Sequence, residues 1–137
     1  MPIDPTKTRG YRNCNPLNIR AIPHVRWEGQ KGVDNDGFCQ FVSMFYGVRA
    51  AFAILRNYKL RHNVVTIADI ISRWAPSNEN NTQKYISDVS RMLGKDPDYV
   101  INYRTLDGRR LVRAMAIIEC NYELDPNILF EAQSKIL

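Results

Sequence analysis

With three cysteines at positions 14, 39 and 120, no CxxC pair and two histidines, the chain has too few ligands at useful spacing for a structural zinc site. The same odd, widely spaced cysteines define no disulfide framework and point to synthesis in a reducing compartment. The seven glycines form no phosphate-cradling loop, and neither GxSxG nor HExxH occurs, which excludes the common nucleotide-binding, serine-hydrolase and zincin patterns. No apolar run is long enough to cross a bilayer, and the opening MPIDPTKTRGYRN lacks the apolar stretch of a secretory signal. The expectation is a protein made in the cytoplasm, without membrane insertion, that reaches any outside target by other means. No cofactor and no metal are indicated. The net charge of +5 and a pI near 9.3 favour polyanionic partners. The basic residues are scattered, however, with no arm or recognition stripe, so nucleic acid is not the expected partner.

What is present suits one domain over residues 1–137, with 1–8 as an extended lead-in. Leu17, Ile19 and Ala21 alternate like a strand entering a Gly- and Asp-rich loop from Arg26 to Gly37, and 38–42 reads as the return strand of a hairpin. Helical periodicity follows over 44–62, with Phe45, Val48, Phe52, Leu55 and Tyr58 on one face. Thr66 caps a short helix that Pro76 ends, and a further helix runs from Thr82 to Leu93 with Gly94 at its end. Asp96-Pro97 and Asp125-Pro126 each predict a helix start, and Thr105 or Asp107 opens the helix carrying Glu119. The fold class is therefore mostly α (α+β): five or six helices and a small hairpin near the N-terminus.

Two groups of residues suggest chemistry. Glu119 interrupts the apolar run RRLVRAMAIIECNYE, read as helix with Leu111, Ala114, Met115, Ile118 and Tyr122 on its buried face, and Val112, Met115, Ala116 and Tyr122 flank Glu119. A carboxylic acid in such surroundings resists ionisation and can serve as a proton donor near neutral pH, although a solvated edge position is the commoner fate of a Glu. The second group is rich in amides and aromatics: Asn13, Asn15, Asn18, Trp27, Gln40, Trp74, Asn78, Glu79, Asn80, Asn81 and Tyr85. Such side chains suit a carbohydrate, whose hydroxyl and acetamido groups seek donors and acceptors while its C–H faces seek flat apolar surface. Turn capping by the Asn residues and core filling by the tryptophans is the structural alternative.

The segments RGYRNCNPLNIR, RWEGQKGVDNDGFCQF, YGVRAAFAIL, ISRWAPSNENNTQKYISDV and RMLG resemble, in order, phage virion-associated and related bacterial proteins with an RGxRNxNPGNIR opening, which look like lysozyme-superfamily domains. The middle segments also resemble bacterial glucosaminidases. There the catalytic Glu precedes the Asn-rich strand, whereas only nine residues precede Gly10 here. LVRAMAIIECNY is similar to the family's late LVxAIIxHENG segment, with Glu119 on its glutamate. The resemblance thus implies a circularly permuted lysozyme core in which the acid-bearing helix has moved to the back of the chain. Leu17, Ile118 and Cys120-Asn121 depart from the family's Gly, His and Asn-Gly, and Asn81 stands where the family has Asp.

By this resemblance the expected activity is cleavage of the β-1,4 glycan strand of peptidoglycan, by a lysozyme, lytic transglycosylase or glucosaminidase-like reaction. Glu119 is the expected general acid. Glu79 would be a second carboxylate if folding sets it across a cleft; otherwise the substrate's acetamido group assists. Asn18, Arg20, Trp27, Gln40, Asn81, Thr82 and Tyr85 are the expected substrate-binding residues, with Arg20 meeting lactyl or peptide carboxylates. The permutation also implies that Cys14 and Cys120 lie close together. Expected partners are peptidoglycan strands and a phage or secretion-system component or an immunity protein, with action at the cell wall after lysis, virion entry or secretion. The alternative is a non-catalytic wall-binding or virion structural protein with the same cleft.

Overall fold

A computed structural model describes residues 4–77 and 81–136. They form a mostly helical α+β arrangement: α1 (Arg9–Arg12), β1 (Gln30–Val33), β2 (Cys39–Phe41), α2 (Met44–His62), α3 (Ile67–Trp74), α4 (Thr82–Leu93), α5 (Leu106–Cys120) and α6 (Pro126–Ser134), with β1 and β2 paired antiparallel. The centre is α2, whose Val48, Ala51, Phe52 and Leu55 are buried and which packs against α5, α6 and β2. Its stretch is the one periodicity predicts. Asn63 ends it in a left-handed conformation (φ 52°), donating its N–H to Tyr58 O.

The caps explain the other boundaries. Thr66 Oγ1 accepts from Asp69 N at the start of α3, Asn81 Oδ1 from Lys84 N at the start of α4, and Asp125 from Asn127 N before Pro126 in α6. Gly94 (φ 65°) closes α4. Near the start of α2, Gly47 lets the N-terminal segment rest directly on the helix: a Cβ there would stand 2.0 Å from Cys14 O. Because the obstacle is backbone, Gly47→Ala forces the whole segment outward, an overpacking cost of about 1–3 kcal/mol. Urea denaturation should show that loss as a lowered midpoint.

Four expectations need correction. The first strand is not Leu17–Ala21 but β1, inside the stretch read as loop; 17–21 runs beside β2 with only an isolated Arg20–Phe38 bridge, because Asn18 (φ 51°) breaks its extended run. Asp96-Pro97 opens a turn, closed by Tyr99 N to Asp96 O, and not a helix. There the chain is drawn into extended pairing, with Ile101 N donating to Val65 O and Val100 bridging Thr66. The lead-in is not wholly extended, since Asp4 caps a 3-10 turn at Pro5–Lys7, and α1 follows. Finally, α5 stops at Cys120, where Asn121 is left-handed (φ 53°), so Tyr122 leaves the helix and packs edge-on against Tyr11, ring centroids 5.4 Å apart.

Candidate active site

The Asn-rich segment builds one wall of the site from inside the core. Asn15 is completely buried and replaces a strand ladder: Oδ1 accepts from Ile19 N (2.9 Å), while Nδ2 donates to Ile19 O (3.0 Å) and Cys39 O (2.9 Å). These bonds close a loop in which Leu17 points fully into the core and Asn18 is turned outward. Leu17, the departure from the resembled motif, is thus a core side chain. Its carbonyl accepts from Trp74 Nε1 (3.1 Å), which fastens the end of α3 to this loop.

Glu119, in the last turn of α5, faces this loop across 101 residues of sequence. Asn18 Nδ2 donates to Glu119 Oε1 (3.0 Å) and, more weakly, to the Glu119 carbonyl (3.4 Å); Tyr85 OH donates to Oε2 (3.0 Å). Both carboxyl oxygens are therefore held. Burial raises the Glu119 pKa above its ordinary 4.5, and the Asn18 and Tyr85 hydrogen bonds and the charge of Arg9 oppose that shift only in part. Tyr85 is itself pushed well above 10 by burial and then by the neighbouring Glu119, so it stays a donor. Tyr85→Phe removes one bond that favours the carboxylate. The Glu119 pKa should then rise further, read by carbon NMR titration of the side-chain carboxyl; an unchanged or lowered value would contradict this network.

Glu119 opens on a cleft of about 740 Å³. One wall comes from the front of the chain, with Arg9, Asn18, Arg20, Trp27 and Phe38; the other comes from α2 and α3, with Ile54, Asn57, Tyr58, His62, Arg73 and Trp74. The guanidinium groups of Arg9 and Arg20 lie 4.2 and 4.5 Å from the Phe38 ring centroid. Tyr58 meets Trp74 edge to face (6.1 Å, 74°), and burial pushes its hydroxyl up to about 12. Two buried polar atoms, Asn18 Oδ1 and Trp27 Nε1, make no hydrogen bond among the described residues although both side chains line the cleft.

Asn18, Arg20 and Trp27 of the expected site residues therefore meet Glu119 at the cleft, and Tyr85 lies beneath it, 7% exposed. Gln40 lies outside the cleft and donates to Asn13 Oδ1 (3.4 Å). Asn81 and Thr82 border a separate depression beside Pro76, where Asn81 caps α4 and Thr82 Oγ1 donates to Ala75 O. Glu79 lies outside the described residues. Among the described lining residues Glu119 is the only carboxylate. Arg9, His62 and Arg73 were not anticipated, because sequence shows them as solvated polar side chains; the one available signal was Arg73 standing beside Trp74 in ISRW. Cys120 packs against Gly10, and its thiol donates to Pro16 O (3.5 Å). All three thiols are free, and burial pushes that of Cys120 up to about 11.

Fold and site together define a mostly helical domain with a desolvated carboxylate opening on an aromatic, arginine-rimmed cleft. The chain is 39% identical over 100 residues to Protein P5 of Pseudoalteromonas phage PM2, an alignment covering 71% of this chain, and it spans 62% of that phage protein's length. No family model matches the sequence. No helix among the described residues is long and apolar enough to cross a membrane.

Proposed function

We propose that this protein cleaves the β-1,4 glycan strand of peptidoglycan, with Glu119 as general acid, on a circularly permuted lysozyme-like core. The observation that carries the reading is the Asn18–Glu119–Tyr85 arrangement, a burial-raised acid held on both oxygens at the edge of a cleft. The contact between a loop near the start of the chain and a helix near its end supports the permutation. Asn18 Oδ1 and Trp27 Nε1 are an unspent acceptor and donor buried in side chains of the cleft wall, and the acetamido group of an amino sugar carries one of each.

In this mechanism Glu119 gives its proton to the glycosidic oxygen as the C1–O4 bond breaks. The acetamido carbonyl oxygen of the same sugar closes on C1, forming a cyclic oxazolinium ion. The Glu119 carboxylate then takes a proton from the nucleophile that opens that ring, either water, giving a reducing sugar, or the sugar's own C6 hydroxyl, giving the anhydro product. Tyr85 and Asn18 hold the carboxylate throughout and act as positioning residues. Delivery by a phage or secretion apparatus to the cell wall fits the phage relative.

A second reading, a non-catalytic wall-binding or virion protein, draws on the same relative and on Glu119 being the only carboxylate among the described lining residues. Purified sacculi separate the two. Wild type should release soluble muropeptides, whose ends identify the product, while Glu119→Gln releases them about 10²–10⁴-fold more slowly, the range of a lost general acid. Binding without release by both proteins would support the second reading.

A further inference from the structure

The cleft has arginines on both walls, and the α2–α3 wall carries an arginine–histidine pair that the proposed chemistry does not use. Arg73, in the last turn of α3, places its guanidinium 5.4 Å from the Tyr58 ring centroid, with Nη2 3.2 Å from His62 Nε2 at the end of α2. Among the described residues no carboxylate pairs with Arg73. A neutral imidazole nitrogen is a weaker partner for a guanidinium than a carboxylate, which can accept two parallel N–H bonds. The cation–π contact with Tyr58 consumes none of the guanidinium's five N–H donors. Trp74, next in the chain and edge-on to Tyr58, sets a flat apolar surface beside it.

We propose that Arg73, with His62 beside it, is a second anion subsite of the cleft, binding a carboxylate borne by the glycan while Trp74 receives an adjoining sugar face. This rests on the glycan-cleaving reading and adds substrate class: the cleft selects acidic glycan over neutral glycan. The carboxylate has two sources, the lactyl group of a peptide-free strand or the stem peptide of an intact one.

The test uses the full chain carrying Glu119→Gln, so that ligands survive, and titrates peptide-free strands, the same strands with lactyl groups converted to methylamides, and stem-bearing strands. Free-acid strands should bind about tenfold tighter than amidated ones, the worth of one charge-assisted bond. Adding Arg73→Gln should erase that difference, and Arg73→Lys should restore part of it, with thermal melts confirming that each variant folds. Loss confined to peptide-free strands assigns the lactyl carboxylate; loss confined to stem-bearing strands assigns the peptide. Equal binding of acid and amide strands together with an undiminished affinity of Arg73→Gln for stem-bearing strands, or an unchanged acid preference in Arg73→Gln, overturns the subsite while leaving the glycan cleft intact. Equally tight binding of a short DNA duplex overturns it as a glycan subsite. Failure to bind any strand overturns the proposed function itself.

Discussion

Glu119→Gln protein should melt a few degrees above wild type while its glycan cleavage collapses. The two effects have one cause, because the feature that makes Glu119 a proton donor, removal of its charge from water, also makes the ionised form costly to bury. Glutamine keeps an acceptor for Asn18 or Tyr85 and carries no charge. The pH dependence follows from the direction of the shift. Below the ordinary glutamate pKa of 4.5 both folded and unfolded chains hold the proton, and Glu119 imposes no electrostatic penalty. As pH rises from there, the unfolded chain releases its proton first, so folded wild type loses stability until the raised folded pKa is passed, after which the deficit is constant. The variant's advantage should therefore be small in acid, grow through that window and level off. Melting curves across pH check it, and a variant less stable than wild type at neutral pH would show that the carboxylate is well solvated.

Asn15→Ala should be among the most damaging substitutions in the protein although residue 15 does not itself line the cleft. Its carboxamide makes three buried bonds to backbone, and alanine leaves the Ile19 N–H and the Cys39 carbonyl without that partner. At about 1–3 kcal/mol for each stranded group the loss is about 2–6 kcal/mol, a large share of the roughly 5–15 kcal/mol that holds a domain folded. Urea midpoints measure the stability loss. Because this loop also aims Asn18 at Glu119, any folded fraction should in addition show a higher Glu119 pKa. A midpoint close to wild type would mean that water replaces the amide.

The helices were largely legible because their signals are local. Thr66, Gly94 and the Asp125-Pro126 pair are caps or stops that act within a turn, and the spacing of Val48, Phe52 and Leu55 reports a buried face directly. The hairpin was misplaced because Asn15 supplies hydrogen bonds that mimic a ladder, while Asn18 adopts a backbone conformation that alternation of side chains does not reveal. Asp96-Pro97 carries a helix-start signal that pairing of the next residues with 65–66 overrides. In the site, Glu119 stood out as a polar residue in an apolar run. Arg73 and His62 did not, since a polar side chain at a helix end looks the same whether it borders a cleft or bulk water.

By itself the sequence determined where α2, α3 and α4 lie and where α6 starts, that one carboxylate belongs to an apolar stretch, and that the front of the chain stores its polarity in amides. Only the tertiary structure decided which amide meets that carboxylate, that Thr82, Asn81 and Gln40 are turned elsewhere, and that His62 of α2 and Arg73 of α3 share the cleft. The division has a physical origin. Periodicity and capping are set by neighbours a few residues apart, whereas a proton affinity and a binding surface depend on burial and on partners about a hundred positions away, which exist only once the chain has folded.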